Sequence, residues 1–135
     1  MAKFVRDRGD TEVFAYKKKA STAFADGDAV MLDSNGFLVP ADASATPETL
    51  VGIINGTVTS ANDDYADTNE YPVEQPSEDA VYKAKVGAGT PAQNMVGQRY
   101  DLDSNGEVDL TSQTNKVVEV VRLAQDSDYI YVKFV

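Results

Sequence analysis

Short segments of alternating or β-branched residues recur along the whole chain, and residues typical of turns separate them. Residues 129–135 alternate between apolar and polar positions, and residues 116–123 contain four valines in five positions. Branching at Cβ disfavours helices and favours strands. Further extended segments are predicted at residues 11–19, 29–32, 37–39, 50–59, 80–86 and 97–102. The pattern predicts an all-β protein, a small β-barrel or sandwich of short antiparallel strands.

The turns between these segments are the clearest local signals. Asp-Ser-Asn-Gly occurs twice, at residues 33–36 and 103–106, and both copies separate two extended segments. Asn-Gly supplies the positive φ that tight hairpins need, so we predict a β-hairpin at each copy. Residues 125–128 predict a third hairpin at the C-terminal end of the sequence. Thr-Pro pairs at residues 46–47 and 90–91 indicate helical turns no longer than about two turns.

Residues 60–79 are polar, with seven acidic side chains and two prolines. One interpretation is a long exposed loop. The other is an edge strand around Tyr71-Pro72-Val73, in which the proline blocks pairing on one side.

The 135 residues fit one domain with a single core, and the formal net charge is −10. Residues 1–19 carry six basic and three acidic side chains, a balance of +3, whereas residues 20–135 have a balance of −13. We therefore divide the chain into a basic N-terminal arm, residues 1–19, leading into the first strand, and a single all-β domain, residues 20–135, with an acidic loop at 60–79. The arm either lies on a separate acidic surface, or it pairs with its own domain or frays.

The side-chain inventory limits the chemistry. The chain has no histidine and no cysteine, which excludes imidazole-based catalysis, disulfides and zinc sites built on these residues. The carboxylate pairs Asp63-Asp64 and Glu78-Asp79 lie in a polar stretch that would not bury an acid and raise its pKa. We predict no enzymatic activity, no catalytic residues, no cofactor and no metal site. The acidity disfavours nucleic acid as a partner, and no apolar run is long enough to predict a membrane span.

Two short motifs have functional alternatives. Residues 101–109 match the first nine positions of a calcium-binding loop, but Ser112 occupies the position of the bidentate glutamate, so we expect an acidic hairpin. Arg8-Gly9-Asp10 is a tripeptide that integrins recognise, and a bend at Gly9 in a flexible arm explains it without a receptor.

Residues 25–41, ADGDAVMLDSNGFLVPA, and 50–56, LVGIING, have the pattern of a hairpin followed by a Val-Gly-Ile strand. In this pattern the sequence resembles the capsid cement, or decoration, proteins of tailed bacteriophages. Val86-Gly87 and residues 97–102 are similar to a later region of that family. The resemblance covers about two thirds of the chain.

The resemblance implies a small β-barrel with an extended N-terminal arm, bound to the outside of a phage head, commonly as a trimer. The expected partners are the major capsid protein and further copies of the chain as a homotrimer. The protein would be made in the cytoplasm of the bacterial host and would end on the outer capsid surface of the virion. The alternative is a virion-surface adhesion or receptor-binding module of the head-fibre type.

The arm is the predicted capsid-binding site. We expect residues 1–10 to be poorly ordered in the free protein and ordered on the capsid. Phe4 and Val5 would be the apolar anchors, while Lys3, Arg6 and Arg8 would meet carboxylates of the partner.

Overall fold

A computed structural model describes residues 2–135 of the chain. It is 45% strand and 2% helical, with two sheets packed together, so the predicted all-β fold is confirmed. The eleven strands are β1 Phe4–Arg8, β2 Thr11–Lys17, β3 Ala29–Leu32, β4 Leu38–Pro40, β5 Leu50–Ile54, β6 Glu70–Pro76, β7 Val81–Ala88, β8 Arg99–Leu102, β9 Val108–Asp109, β10 Val118–Leu123 and β11 Tyr129–Phe134. Gln93–Met95 forms a 3₁₀ helix, and residues 46–50 form a hydrogen-bonded turn.

Sheet 1 contains the first strand and the last five. Its order is β1-β7-β11-β10-β8-β9, and a further parallel pairing between β9 and β7 closes it on itself. The edge of β7 that pairs with β1 over residues 81–84 therefore pairs with β9 over residues 86–88. Closing a sheet removes edges that would otherwise stay unpaired.

Sheet 2 is built from the intervening segment, in the order β2-β6-β5-β3-β4. β6 lies between β2 and β5, so neither interpretation of residues 60–79 is correct for Glu70–Pro76: the segment is an interior strand. All seven residues of β6 are in register with β2, whereas only Val73 and Glu74 are in register with β5. The prolines explain this asymmetry, because both stand at positions that do not hydrogen-bond to β2, and their missing donors face the β5 side.

The core joins the two sheets. Its larger cluster combines sheet 2 residues such as Met31 and Ile53 with a majority from sheet 1. Three aromatic rings contact one another there, with ring centroids 5.3 Å apart for Phe4 and Phe134 and 5.4 Å for Tyr82 and Phe134. A smaller cluster around Phe24 and Ile54 lies within sheet 2.

The extended N-terminal arm is not seen. Residues 4–8 pair with β7 as a strand of sheet 1, and Phe4 is 2% exposed among the core aromatics. The expectation of a poorly ordered segment is therefore wrong for residues 4–8, and Met1 lies outside the described residues. β1 is an outer strand with one buried position, Phe4, followed by four exposed residues, and the charge pattern alone did not reveal this.

The three predicted hairpins are confirmed. Both Asp-Ser-Asn-Gly copies use one geometry, in which the glycine amide donates to the aspartate carbonyl and the aspartate side chain accepts two further amides. Gly36 and Gly106 have φ of 84° and 74°, while Asn35 and Asn105 remain at negative φ. A turn followed by a left-handed glycine is the usual three-residue hairpin loop.

Candidate functional site

Charge is divided between the two sheets. Residues 11–79, which build sheet 2 and its loops, carry 13 acidic and three basic side chains, a balance of −10. The rest of the chain carries nine of each sign and is neutral, so the entire net charge lies on the sheet 2 side. Sheet 1 therefore offers the surface that an acidic partner would approach most easily.

The outer face of sheet 1 gathers basic and tyrosine side chains. Register places Val5 opposite Lys83, Lys83 opposite Tyr131, and Tyr131 opposite Arg122, so these four side chains form one row across β1, β7, β11 and β10. Directly opposed residues share a face of a sheet. A second row pairs Lys85 with Tyr129. We call this surface the basic tyrosine face, defined as Val5, Lys83, Lys85, Arg122, Tyr129 and Tyr131.

Cation–π contacts hold its side chains in place. The Arg122 guanidinium carbon lies 3.6 Å from the centroid of the Tyr131 ring, and Lys83 Nζ lies 4.8 Å from that of Tyr129. Arg122 also pairs with Asp7 at 2.9 Å. Stacking of this kind limits side-chain motion, which lowers the entropy lost when a partner binds.

The basic charge of this face is only partly balanced within the molecule. Lys85 lies 3.6 Å from Glu107 and Arg122 pairs with Asp7, but within residues 2–135 Lys83 has no carboxylate within ion-pair distance. Val5 is 45% exposed beside it. Arginine and tyrosine are enriched where proteins bind one another, so the composition suits a protein interface.

Of the five residues predicted to bind the capsid, the structure places some in the core or in contacts within the chain and leaves others exposed. Phe4 is buried and cannot be a surface anchor. Lys3 lies 3.7 Å from Asp28 and donates to the Asn105 carbonyl, so it joins segments of its own chain.

Arg6 also has an internal role, because it lies 3.4 Å from Glu74 and donates to the Thr11 hydroxyl. Val5 and Arg8 remain exposed. Within the described chain, the Arg8 side chain has neither an ion pair nor a hydrogen bond. Of the predicted set, these two are free to meet a partner.

Arg8-Gly9-Asp10 is the corner at which the chain passes from sheet 1 to sheet 2. Gly9 has φ of 91°, and a Cβ there would lie 2.5 Å from Ala80 Cα and from the Asp79 carbonyl oxygen. The glycine is therefore required by close backbone packing as well as by its conformation. This packing differs from the flexible bend expected from the sequence.

A buried lysine organises the acidic loop. Lys18 is fully buried, and its ammonium donates to the backbone carbonyls of Tyr65, at 3.1 Å, and Asp67. Tyr71 donates to Asp64 at 2.8 Å, and this hydrogen bond lowers the pKa of Asp64. One residue of the Lys17-Lys18-Lys19 run thus has a structural role, while its neighbours are exposed.

The predicted carboxylate pairs do not form an acid–base site. A general acid at neutral pH needs a raised pKa, whereas hydrogen bonds lower the pKa of Asp64 and, through the Ser77 hydroxyl, that of Asp79. Asp63 and Glu78 are exposed. Neither pair is therefore suited to protonating a leaving group.

Residues 101–109, which match the start of a calcium-binding loop, form a hairpin. The carboxylate at the first ligand position, Asp101, already accepts hydrogen bonds from the chain itself. Asp101 accepts the Ser112 hydroxyl at 2.6 Å and the backbone amides of Thr114, Asn115 and Lys116 at 2.7–3.2 Å. Burial of Asp101 opposes its ionisation, but these donors outweigh it and lower its pKa. Residues 2–135 contain no group of three or more acidic side chains placed to hold a metal ion.

Comparison with known protein families finds no match for this chain, and comparison with curated proteins finds none either. Across the described residues, no helix is both long and apolar enough to cross a membrane.

The basic tyrosine face was missed as a site by sequence reasoning, although part of its signal was visible. Tyr129, Tyr131 and Lys133 alternate on one face of the last strand, and Lys83 and Lys85 alternate in the same way. The pairing of β1, β7, β11 and β10 in one sheet brings these side chains together, although Val5 and Arg122 lie more than 100 positions apart in the sequence.

Proposed function

We propose that the protein is a structural capsid decoration protein that binds the outer surface of a phage head and stabilises the capsid lattice. The sequence resemblance supports this function, and the hairpin on which it rests, within residues 25–41, forms between β3 and β4 in the structure. The partner is the major capsid protein, and the location is the outer surface of the virion. Synthesis takes place in the cytoplasm of the bacterial host.

The observation that carries a binding role is the basic tyrosine face on an otherwise acidic molecule. Val5 and Tyr131 supply apolar contact area, while Lys83 and Arg122 supply charge that an acidic surface attracts. Docking through this face directs the −10 charge of residues 11–79 away from the partner. That orientation reduces repulsion between the decoration protein and a carboxylate-rich shell.

The homotrimer implied by the resemblance is part of the proposal. A ring of three copies matches a three-fold site on an icosahedral head and uses head-to-tail contacts between different surfaces of neighbouring copies. The basic tyrosine face then appears three times on one assembly, and multivalent attachment strengthens binding without new contacts.

The proposal is tested by measuring how a variant with an altered basic tyrosine face binds to undecorated capsids. Lys83→Glu combined with Tyr131→Ala removes one uncompensated cation and one aromatic contact, and we expect binding at moderate salt to weaken at least about tenfold. Lys19→Glu is the control, since it makes the same charge change at an exposed position on the sheet 2 side. Circular dichroism verifies that each variant is folded.

Equal weakening by the double variant and by Lys19→Glu would contradict docking through this face. Failure of the unaltered protein to bind capsids, together with binding to host cells, would replace the decoration role with the adhesion alternative.

A further inference from the structure

β2 has a free edge. The amide of Lys18 donates to Asn69 at one end of the β2–β6 pair, and that of Ser77 donates to Asp10 at the other. These bonds assign the even-numbered residues of β2 to the hydrogen-bonded positions facing β6. The amides and carbonyls of Thr11, Val13 and Ala15 therefore point away from β6, and β2 is the outermost strand of sheet 2 along this stretch.

The free edge is also apolar. Val13 is 59% exposed, more than any other large apolar residue described, and its neighbour Phe14 is 44% exposed. A flat edge strand with exposed apolar side chains tends to pair with another strand. The edge ends at Lys17, because Leu38 of β4 bridges to Lys18 and accepts the amide of Lys19.

We propose that two copies of this chain pair through β2, antiparallel about a two-fold axis at Val13. In this register Val13 lies opposite Val13 of the second copy, and Thr11 lies opposite Ala15, so all three outward-facing residues of each strand enter the ladder. The pairing goes beyond capsid decoration and does not depend on it.

The charge along the strand favours a second copy in this orientation. β2 begins after Asp10 with Glu12 and ends with Lys17, followed by Lys19. Antiparallel pairing brings the acidic start of one strand near the basic end of the other, whereas parallel pairing would bring like charges together. Glu12 and Lys17 lie on opposite faces of the strand, so this is a general attraction between the strand ends and not a direct ion pair.

The surface beside the edge fits the same pairing. A cleft of about 300 Å³ is lined by Asp10, Glu12, Phe14, Gln75 and Ser77, which share one face of the β2–β6 pair, together with Thr11 and Pro76. The proposed register places Phe14 and Tyr16 of the second copy opposite Glu12 and Asp10, on that face. Phe14 of the second copy, which is exposed, then lies beside the cleft, whereas Tyr16 stays packed against the smaller core cluster of its own chain.

The symmetry of this contact makes a prediction about copy number. A two-fold pair contains an even number of copies, whereas the proposed trimer closes through a different, head-to-tail contact. With both contacts present, the assembly is a hexamer; with β2 pairing alone, it is a dimer. The short ladder predicts that association depends on protein concentration.

Cross-linking tests the register directly, because the chain has no cysteine. Opposed residues in a hydrogen-bonded pair have Cα atoms about 5.5 Å apart, within the range of a disulfide. Under mild oxidation, Val13→Cys is expected to give a disulfide-linked dimer. Val5→Cys, exposed on sheet 1, is the control and should remain largely unlinked. Equal or absent linkage of the two variants would overturn the pairing.

Sedimentation tests the contact in the unmodified chain. Val13→Pro removes one outward-facing amide donor and leaves the bonds to β6 intact, so it should shift an even-numbered assembly toward single copies or trimers. Val13→Thr keeps the amide and should behave like the unaltered protein. A monomer or trimer at every concentration of the unaltered protein would refute β2 pairing and leave the capsid proposal standing. If Val13→Pro does not fold, the cross-linking result decides.

Discussion

At the scale of single residues, buried charges hold the irregular parts of the chain. Lys18 binds carbonyls of the acidic loop, and Asp101 binds amides of the segment that leads into β10. Lys116 in that segment has φ of 55°, an unfavourable conformation for a residue with a Cβ. Its amide donates to Asp101 at 2.8 Å, so the carboxylate stabilises a backbone that would otherwise relax.

We predict that Asp101→Asn lowers the free energy of unfolding by about 2 kcal/mol. The NH2 group of asparagine replaces one acceptor oxygen with a donor, so the donors that this oxygen accepted would face another donor and lose their acceptor. Asp103→Asn is the matched control: one oxygen of Asp103 accepts both amides of its turn, and asparagine keeps that oxygen. Urea unfolding measures both variants, and equal losses would contradict this role of Asp101.

The same carboxylate predicts a pH dependence. Its folded-state pKa lies below the ordinary value of 3.8, so its stabilising effect is complete above the unfolded-state pKa. The effect disappears as pH falls through the folded-state pKa. The stability difference between the unaltered protein and Asp101→Asn should therefore shrink below about pH 4, as measured by unfolding at a series of pH values.

At the scale of elements, β1 contributes both to the hydrogen bonding of sheet 1 and to the core. Its pairing with β7 and the contacts of Phe4 with Tyr82 and Phe134 anchor the N-terminal segment in the core. Removing residues 2–10 should therefore destabilise the protein, in contrast to the loss of a free arm.

Phe4→Ala isolates this contribution. We expect it to lower the free energy of unfolding by about 3 to 5 kcal/mol, because it empties a buried aromatic site. Val5→Ala, on the exposed side of the same strand, should change it by less than about 0.5 kcal/mol. Thermal and urea unfolding compare the two, and a small effect of Phe4→Ala would show that β1 is not packed as described.

At the scale of the whole molecule, the charge division has a stability cost. Residues 11–79 concentrate 13 acidic side chains, whose mutual repulsion opposes the compact state. In the ion pairs of sheet 1 the basic partner keeps 42–51% of its side chain exposed, so solvent screens the pairs and each contributes little. Salt should therefore stabilise the protein more by screening the repulsion among these acidic side chains than it destabilises the protein by weakening the ion pairs.

We predict that raising sodium chloride from about 20 mM to about 500 mM increases the melting temperature, because the Debye length falls from roughly 20 Å to roughly 4 Å and the repulsion among the acidic side chains is screened. Asp63→Asn combined with Asp67→Asn should reduce this gain without breaking the Tyr71 contact to Asp64. Calorimetry measures both, and a melting temperature that falls with salt would contradict the charge argument.

Local features could be predicted from the sequence alone, because they depend on neighbouring residues. The Asn-Gly turns at residues 35–36 and 105–106, the alternating last strand and the all-β class follow from backbone preferences and from a period of two. Strand order could not be predicted in this way. The position of β6 inside sheet 2, the inclusion of β1 in sheet 1 and the row from Val5 to Arg122 depend on which distant strands share hydrogen bonds. Burial of the whole core determines which distant strands pair, so only the tertiary structure decided which surfaces the protein presents.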